Sequence, residues 1–292
     1  MSATPRQSAV GSIIVLASTF LFAAATVAAK HAAQDFGVGA PWVTMSRFVV
    51  GLLLCLPAVI AQPGVLRPRE PRWVILRAAT NVVAVLLFFF GIQYTAVSKA
   101  NLLNMTYPVF VFLFAPFVTG ERTSRRLYLF LAMTLLGVWN IVRPDQLDVV
   151  GDGTVGDALA FASAVVAGFA ISALRRARRN DGSTTIVVYV MALGVVLNAG
   201  LLPFVPMPRG IALVWALGAG ALGAVGQFAL TAGFRFVSAP AGALLSTARI
   251  PIAGVAGVVL FAEPFGLRTA VGSALILVSL VGATITGQPR RR

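Results

Sequence analysis

Acidic residues are scarce in this 292-residue chain: three glutamates and six aspartates stand against 23 lysines and arginines. Charged residues of both signs make up only 11% of the sequence, where a soluble domain carries about 25%. With 58% hydrophobic residues and a mean hydropathy of +0.90, a water-soluble globular fold is excluded. A single cysteine, Cys55, lies inside an apolar run, which rules out an intrachain disulfide. With His31 the only histidine, no metal-ligand cluster is readable and no cofactor is implied. The formal charge of +14 is not a nucleic-acid signature, because the basic residues fall between apolar runs instead of forming one soluble basic face.

Apolar runs are what the sequence has in abundance. A span needs roughly 20 mostly apolar residues, and candidates cover 10–29, 41–61, 73–94, 98–119, 125–142, 157–174, 184–204, 211–233, 239–262 and 267–287. The first run has no small-residue cleavage site in a suitable context, so it reads as a retained helix rather than a signal peptide. With a cytoplasmic N-terminus, fifteen basic residues fall on the inner side, among them Arg67, Arg69, Arg72, Arg175, Arg176, Arg178 and Arg179. Five fall outside: Lys30, Lys99, Arg143, Arg209 and Arg268. The positive-inside rule therefore predicts a multi-pass membrane protein with both termini cytoplasmic. Trp42, Trp73, Trp139 and Trp215 lie near span ends, where interfacial aromatics belong.

The chain also resembles itself. A shift of 142 residues places Gly91 on Gly233, Leu102 and Leu103 on Leu244 and Leu245, Glu121 on Glu263, and Arg126 on Arg268. A shift of 145 brings Ala17-Ser18 onto Ala162-Ser163. Matches between glutamates weigh most, because two of only three fall in register. Five spans per half mean that the halves, 1–148 and 149–292, enter the membrane from opposite sides. Inverted repeats of that kind are a carrier's way of presenting one site alternately to two sides. The expected fold is all-α and polytopic: ten transmembrane helices in two inverted five-helix repeats around a central cavity.

The fourth span, with Pro108 and a terminal Gly120-Glu121, is echoed by the ninth, with Pro251 and Ala262-Glu263. This pattern resembles the EamA-type ten-helix branch of the drug/metabolite transporter superfamily, and within it the bacterial aromatic amino-acid exporters. The resemblance implies outward transport of amino acids, with broad tolerance, by alternating access. Four-span multidrug members of the superfamily depend on a glutamate in their first helix, and the stretch Ile13 to Ala29 has none. Drug–proton antiport by that route is disfavoured.

Several residues are candidates for the transport chemistry. Pro108 and Pro251 within helices would free the carbonyls of Asn104 and Thr247, and paired helix breaks point to a carrier's binding site. Arg249 sits near the midpoint of the ninth span, too deep to reach an interface. It is expected to meet a substrate carboxylate, or else to bond the Thr247 carbonyl or Gln227. Asn101, Asn104 and Pro108 share one face of the fourth span, as Gly242, Ser246 and Arg249 share one of the ninth. Together with Asn81, Gln227 and Phe88 they read as a cavity wall, although amides such as Asn81 also glue helices. Lys99 and Glu263 could form an outer gating pair; Glu121 and Glu263 are expected at helix ends facing interfacial water. His31 reads as a solvated interfacial imidazole. Small-residue ridges, Ala160-Ala164-Gly168-Ser172 and Ala212-Ala216-Gly220-Ala224, would let helices pack closely.

No acid, base, nucleophile or metal set converges at membrane depth, so an enzyme is not expected. The partners are lipid and a small-molecule substrate, and a monomer is compatible with this reading. Export of amino acids would use an arginine for the carboxylate, amides for the ammonium and aromatics for the side chain. A carrier of phosphate- or sugar-bearing metabolites, or of other small organic solutes, is the alternative.

Overall fold

The computed structural model describes residues 5–94, 100, 103–121, 123–142, 153–252, 255, 259 and 266–286. Lys99, Asn101, Glu263, Arg290, Arg291 and Arg292, with the Lys30 side chain, lie outside the described residues. Its α-helices follow the apolar runs: α1 (Pro5–Phe36), α2 (Ala40–Ala61), α3 (Pro71–Tyr94), α4 (Tyr107–Thr119) and α5 (Arg125–Val142). The second half continues with α6 (Gly153–Ala177), α7 (Ser183–Ala199), α8 (Ile211–Gly233), α9 (Ala239–Ser246) and α10 (Leu267–Thr286). Five of these, α1, α2, α3, α6 and α8, are long and apolar enough to cross a membrane. Their outward faces are apolar, and elsewhere on the bundle surface Phe117, Val259 and Leu267 are 83%, 73% and 80% exposed. Such a surface suits lipid and would be an aggregation liability in water.

Two spans differ from the continuous helices expected. The run 98–119 is broken by a turn at Met105–Thr106, and Pro108 stands in the first turn of α4, not inside a helix. That is where proline's fixed φ and missing N–H cost nothing. The run 239–262 breaks in the same way at Thr247–Ala248, and helix resumes at 249 with Pro251 in its opening turn. The Thr247 carbonyl is not left free, since it accepts the Ile250 N–H at 3.0 Å. The two breaks lie 142 residues apart.

Helix pairing follows a regular scheme. The closest-packed pairs are α3 with α6 and α1 with α8, which exchange when each helix is replaced by the one five places along. The same exchange relates α4–α6 to α9–α1 and α2–α8 to α7–α3, while α2–α7, α4–α9 and α5–α10 map onto themselves. Two of these contacts depend on the absence of a side chain. A Cβ on Gly91 of α3 would lie 3.1 Å from both the Gly156 carbonyl oxygen and the Ala160 nitrogen of α6. A Cβ on Gly233 of α8 would lie 3.1 Å from the Gly11 oxygen and 3.2 Å from the Val15 nitrogen of α1. The second set follows the first by register, Gly91 with Gly233 and Gly11 with Gly156.

The bundle has two distinct ends. One holds the Arg175–Arg179 segment, where the Asp181 carboxylate accepts the backbone N–H groups of Arg69 at 2.6 Å and Glu70 at 3.1 Å, just before α3. At the opposite end Trp42 Nε1 donates to the Val205 carbonyl at 3.2 Å. There His31, in the last turns of α1 and beside the Asp35 carboxylate, meets the Trp215 ring edge-on at 4.3 Å.

Candidate functional site

A cavity of about 470 Å³ lies between the helices of the two halves. The broken helices reach it: Asn104 just before the first turn and Ser246 and Arg249 flanking the second all line it. Asn81 and Phe88 of α3 and Gln227 of α8 complete the expected wall. Pro108 and Pro251 do not line it; both are buried and shape the turns that bring Asn104 and Arg249 there. Gly242 is also off the wall, packed so close to the Phe234 ring that a Cβ would lie 2.5 Å from it.

Two further cations stand in the wall, Arg47 from α2 and Arg77 from α3. Sequence reasoning passed them over, because one arginine barely lowers the mean hydropathy of a 20-residue apolar run. A signal existed: fifteen inner and five outer basic residues leave three of the 23 unassigned, and those three are Arg47, Arg77 and Arg249. An arginine at the centre of a membrane helix costs about 2.5–3.5 kcal/mol on insertion scales. Arg249 stands at that depth and Arg47 and Arg77 nearer their span ends, yet all three turn to one cavity.

Their partners are few and neutral. Arg47 Nη2 donates to Gln227 Oε1 at 2.7 Å, and its guanidinium lies 5.1 Å from the centre of the Phe22 ring. Room for it comes from α8, where a Cβ on Gly220 would sit 2.6 Å from the Arg47 backbone nitrogen and one on Gly223 would sit 3.1 Å from its Cδ. Arg249 Nη2 donates to Met105 Sδ at 3.1 Å, in the opposite broken helix, so neither the Thr247 carbonyl nor Gln227 is its partner. Arg77 is only 2% exposed. The buried Nε atoms of Arg47 and Arg77 have no hydrogen-bond acceptor among the described residues. Arg47 is within electrostatic reach of both other cations. No aspartate or glutamate is among the described residues that line the cavity. Asn104 Nδ2 donates to Ser163 Oγ at 2.8 Å, and the Tyr107 hydroxyl donates to the Ala243 carbonyl at 3.1 Å.

The lining residues of α1 and α2 lie in the Trp42-end half of those helices, whereas those of α6 and most of those of α8 lie in the half nearer the arginine-rich end. A polar cluster seals the arginine-rich end. Glu121, expected to face interfacial water, is instead buried at 6% exposure. Its Oε1 accepts Arg175 Nε at 2.8 Å, with Arg179 at 3.6 Å, and its Oε2 accepts the Ala239 N–H at 3.1 Å. The carboxylate thus sits on the N-terminus of α9, where the helix dipole favours an anion. Arg175 Nη1 also donates to the carbonyls of Phe234 and Arg235 at 2.8 and 2.7 Å, beyond the end of α8. Arg178 Nε donates to the Thr231 carbonyl at 2.8 Å. Burial, with the like charges of Arg235 and Arg175, pushes the Arg178 guanidinium down to about 10, Asp181 opposing, so it stays protonated at neutral pH. One acid and three arginines join the ends of α4, α6, α8 and α9.

A helical bundle whose broken helices meet at a central cavity bearing cationic and amide side chains has the architecture of a small-molecule carrier. The profile of the EamA-like transporter family matches residues 9–143 and again 154–285, and the chain belongs to that family. It is 27% identical to human solute carrier family 35 member G1, over 94% of this chain and 79% of that one. It is 24% identical to the riboflavin transporter of Vibrio cholerae, over 94% and 92%, and to the pseudopaline exporter CntI of Pseudomonas aeruginosa, over 94% and 96%. A solved structure at 22% identity superposes with a TM-score of 0.80 over 95% of this chain and 97% of its own, which shows a shared fold. The protein is therefore a multi-pass membrane transporter of small molecules.

Proposed function

We propose that the chain carries small organic anions, metabolites bearing carboxylate or phosphate groups, across the bacterial inner membrane by alternating access. The observation that carries this reading is the cavity wall, where Arg47, Arg77 and Arg249 stand with no carboxylate among the described lining residues. Guanidinium is the side chain suited to planar, paired bonding of carboxylate and phosphate. The relatives, named for riboflavin and for pseudopaline, point to metabolite solutes in general without naming this one.

Amino acids fit this wall less well. Their ammonium would enter a field of three cations, and the Gln227 Oε1 that could receive it already accepts from Arg47. The transport cycle we propose joins two inverted repeats, 1–148 and 149–292, of five spans each. The exchange symmetry of helix pairs and the matched glycine crossings support that division. Both termini are placed in the cytoplasm by the distribution of basic residues. The Glu121–Arg175 cluster is then an inner gate, shut in this conformation.

Purified protein in liposomes, loaded with sugar phosphates, dicarboxylates or amino acids and assayed for exchange, tests the reading. Phosphates or dicarboxylates should move, and Arg249→Leu should reduce that movement more than about tenfold at equal abundance in the membrane. Exchange of amino acids alone would return the assignment to amino-acid export.

A further inference from the structure

We infer that the cavity reads a second negative charge: its substrate carries at least two, on one phosphate monoester or on two carboxylates. This rests on the anion-carrier reading above and goes further, from the sign of the substrate's charge to its number.

One carboxylate engages two guanidinium donors on one plane, and a single arginine supplies them. The wall holds three arginines on three helices. Arg249 reaches across to Met105, and a thioether sulfur is a weak acceptor that leaves the cation uncompensated. Among the described residues, Arg47 has one acceptor, the Gln227 carbonyl oxygen, and its buried Nε has none. Arg77, 2% exposed, likewise has a buried Nε without an acceptor among them. A structural arginine this deep would be neutralised by an acid, as Arg175 is by Glu121 at the closed end. None is among the described residues lining the cavity, so the neutralising charge must arrive with the solute. A monoanion leaves two of three cations unpaired, whereas a dianion bridging Arg249 and the Arg47–Arg77 side leaves at most one. The aromatic rings of Phe22 and Phe88 on the same wall leave room for an apolar or planar body between the anionic groups.

Calorimetric titration of the purified full-length protein in detergent tests this with matched probes. Succinate is set against succinamate, which loses one charge at nearly constant shape, and phenyl phosphate against phenyl sulfate, which cannot take a second charge. Succinate should bind about tenfold or more tightly than succinamate, the worth of one charged hydrogen-bonding contact. Phenyl phosphate should tighten as pH rises through its second ionisation at about 6, while phenyl sulfate stays level. Arg77→Gln should erase the advantage of the second charge and leave succinamate binding in place, and Arg77→Lys should keep most of it. Equal binding of the paired probes by the unaltered protein overturns the inference and leaves the anion-carrier reading standing. Binding of alanine with none of the anions, or of no probe at all, overturns both. The unaltered protein decides the matter even if the Arg77 variants fail to fold.

Discussion

Glu121 and Arg47 illustrate what single residues reveal and conceal. The duplicated Glu121/Glu263 register marked a helix end from the sequence, but the burial of Glu121 depends on two segments far along the chain, 175–179 and 234–239. No local pattern announces that convergence. Removing one partner of a buried ion pair costs about 3–5 kcal/mol. Glu121→Gln is expected to lower the thermal midpoint of the purified protein by several degrees, with Arg175→Gln in the same chain giving back part of the loss. A circular-dichroism melt of the two single variants and the double variant measures this coupling. Arg249 was legible because its depth leaves no route to an interface; Arg47 and Arg77 lie nearer span ends, and their aim into the cavity is decided by helix rotation, which hydropathy does not encode.

Among the elements, the helices themselves were legible because lipid demands long apolar runs with internal backbone bonding. The breaks at 105–106 and 247–248 were half legible. Proline flagged them, but a proline in the first turn of a new helix and one kinking a continuous helix leave the same mark in the sequence. The crossings of Gly91 on Gly156 and of Gly233 on Gly11 turn a string of cheap matches into matched contacts. Valine at either Gly91 or Gly233 should force its helix pair apart and depress the yield of folded protein, read by fluorescence-detected size exclusion. Gly218 of α8, where an added Cβ would meet nothing within 4 Å, is the control. Gly218→Ala should be neutral or should stabilise by up to about 1 kcal/mol.

For the whole molecule, the proposed cycle makes the structure, with its arginine-rich end tied shut by the Glu121–Arg175 cluster, one conformation of a two-state device. Weakening the closed end should shift the population toward the opposite opening. A cysteine at Ala219, on the cavity wall, placed in a Cys55→Ala background, should react with an impermeant maleimide added outside cells. Adding Glu121→Gln should slow that reaction. The arginine count alone yields an expected orientation, whereas it yields no substrate, since a solute is recognised by side chains that come from helices far apart in sequence.

The claim on which the account turns is that equivalent helices of the two halves, α2 and α7, are threaded in opposite directions. The measurement is sidedness of labelling in intact cells and in inverted vesicles, with single cysteines at Ala40, Arg67, Gly182 and Arg209 in the Cys55→Ala background. The account predicts that Ala40 and Arg209 label from outside, and that Arg67, which follows α2, and Gly182, which precedes α7, label only from the cytoplasmic face. Labelling of Arg67 and Gly182 from opposite faces would contradict it.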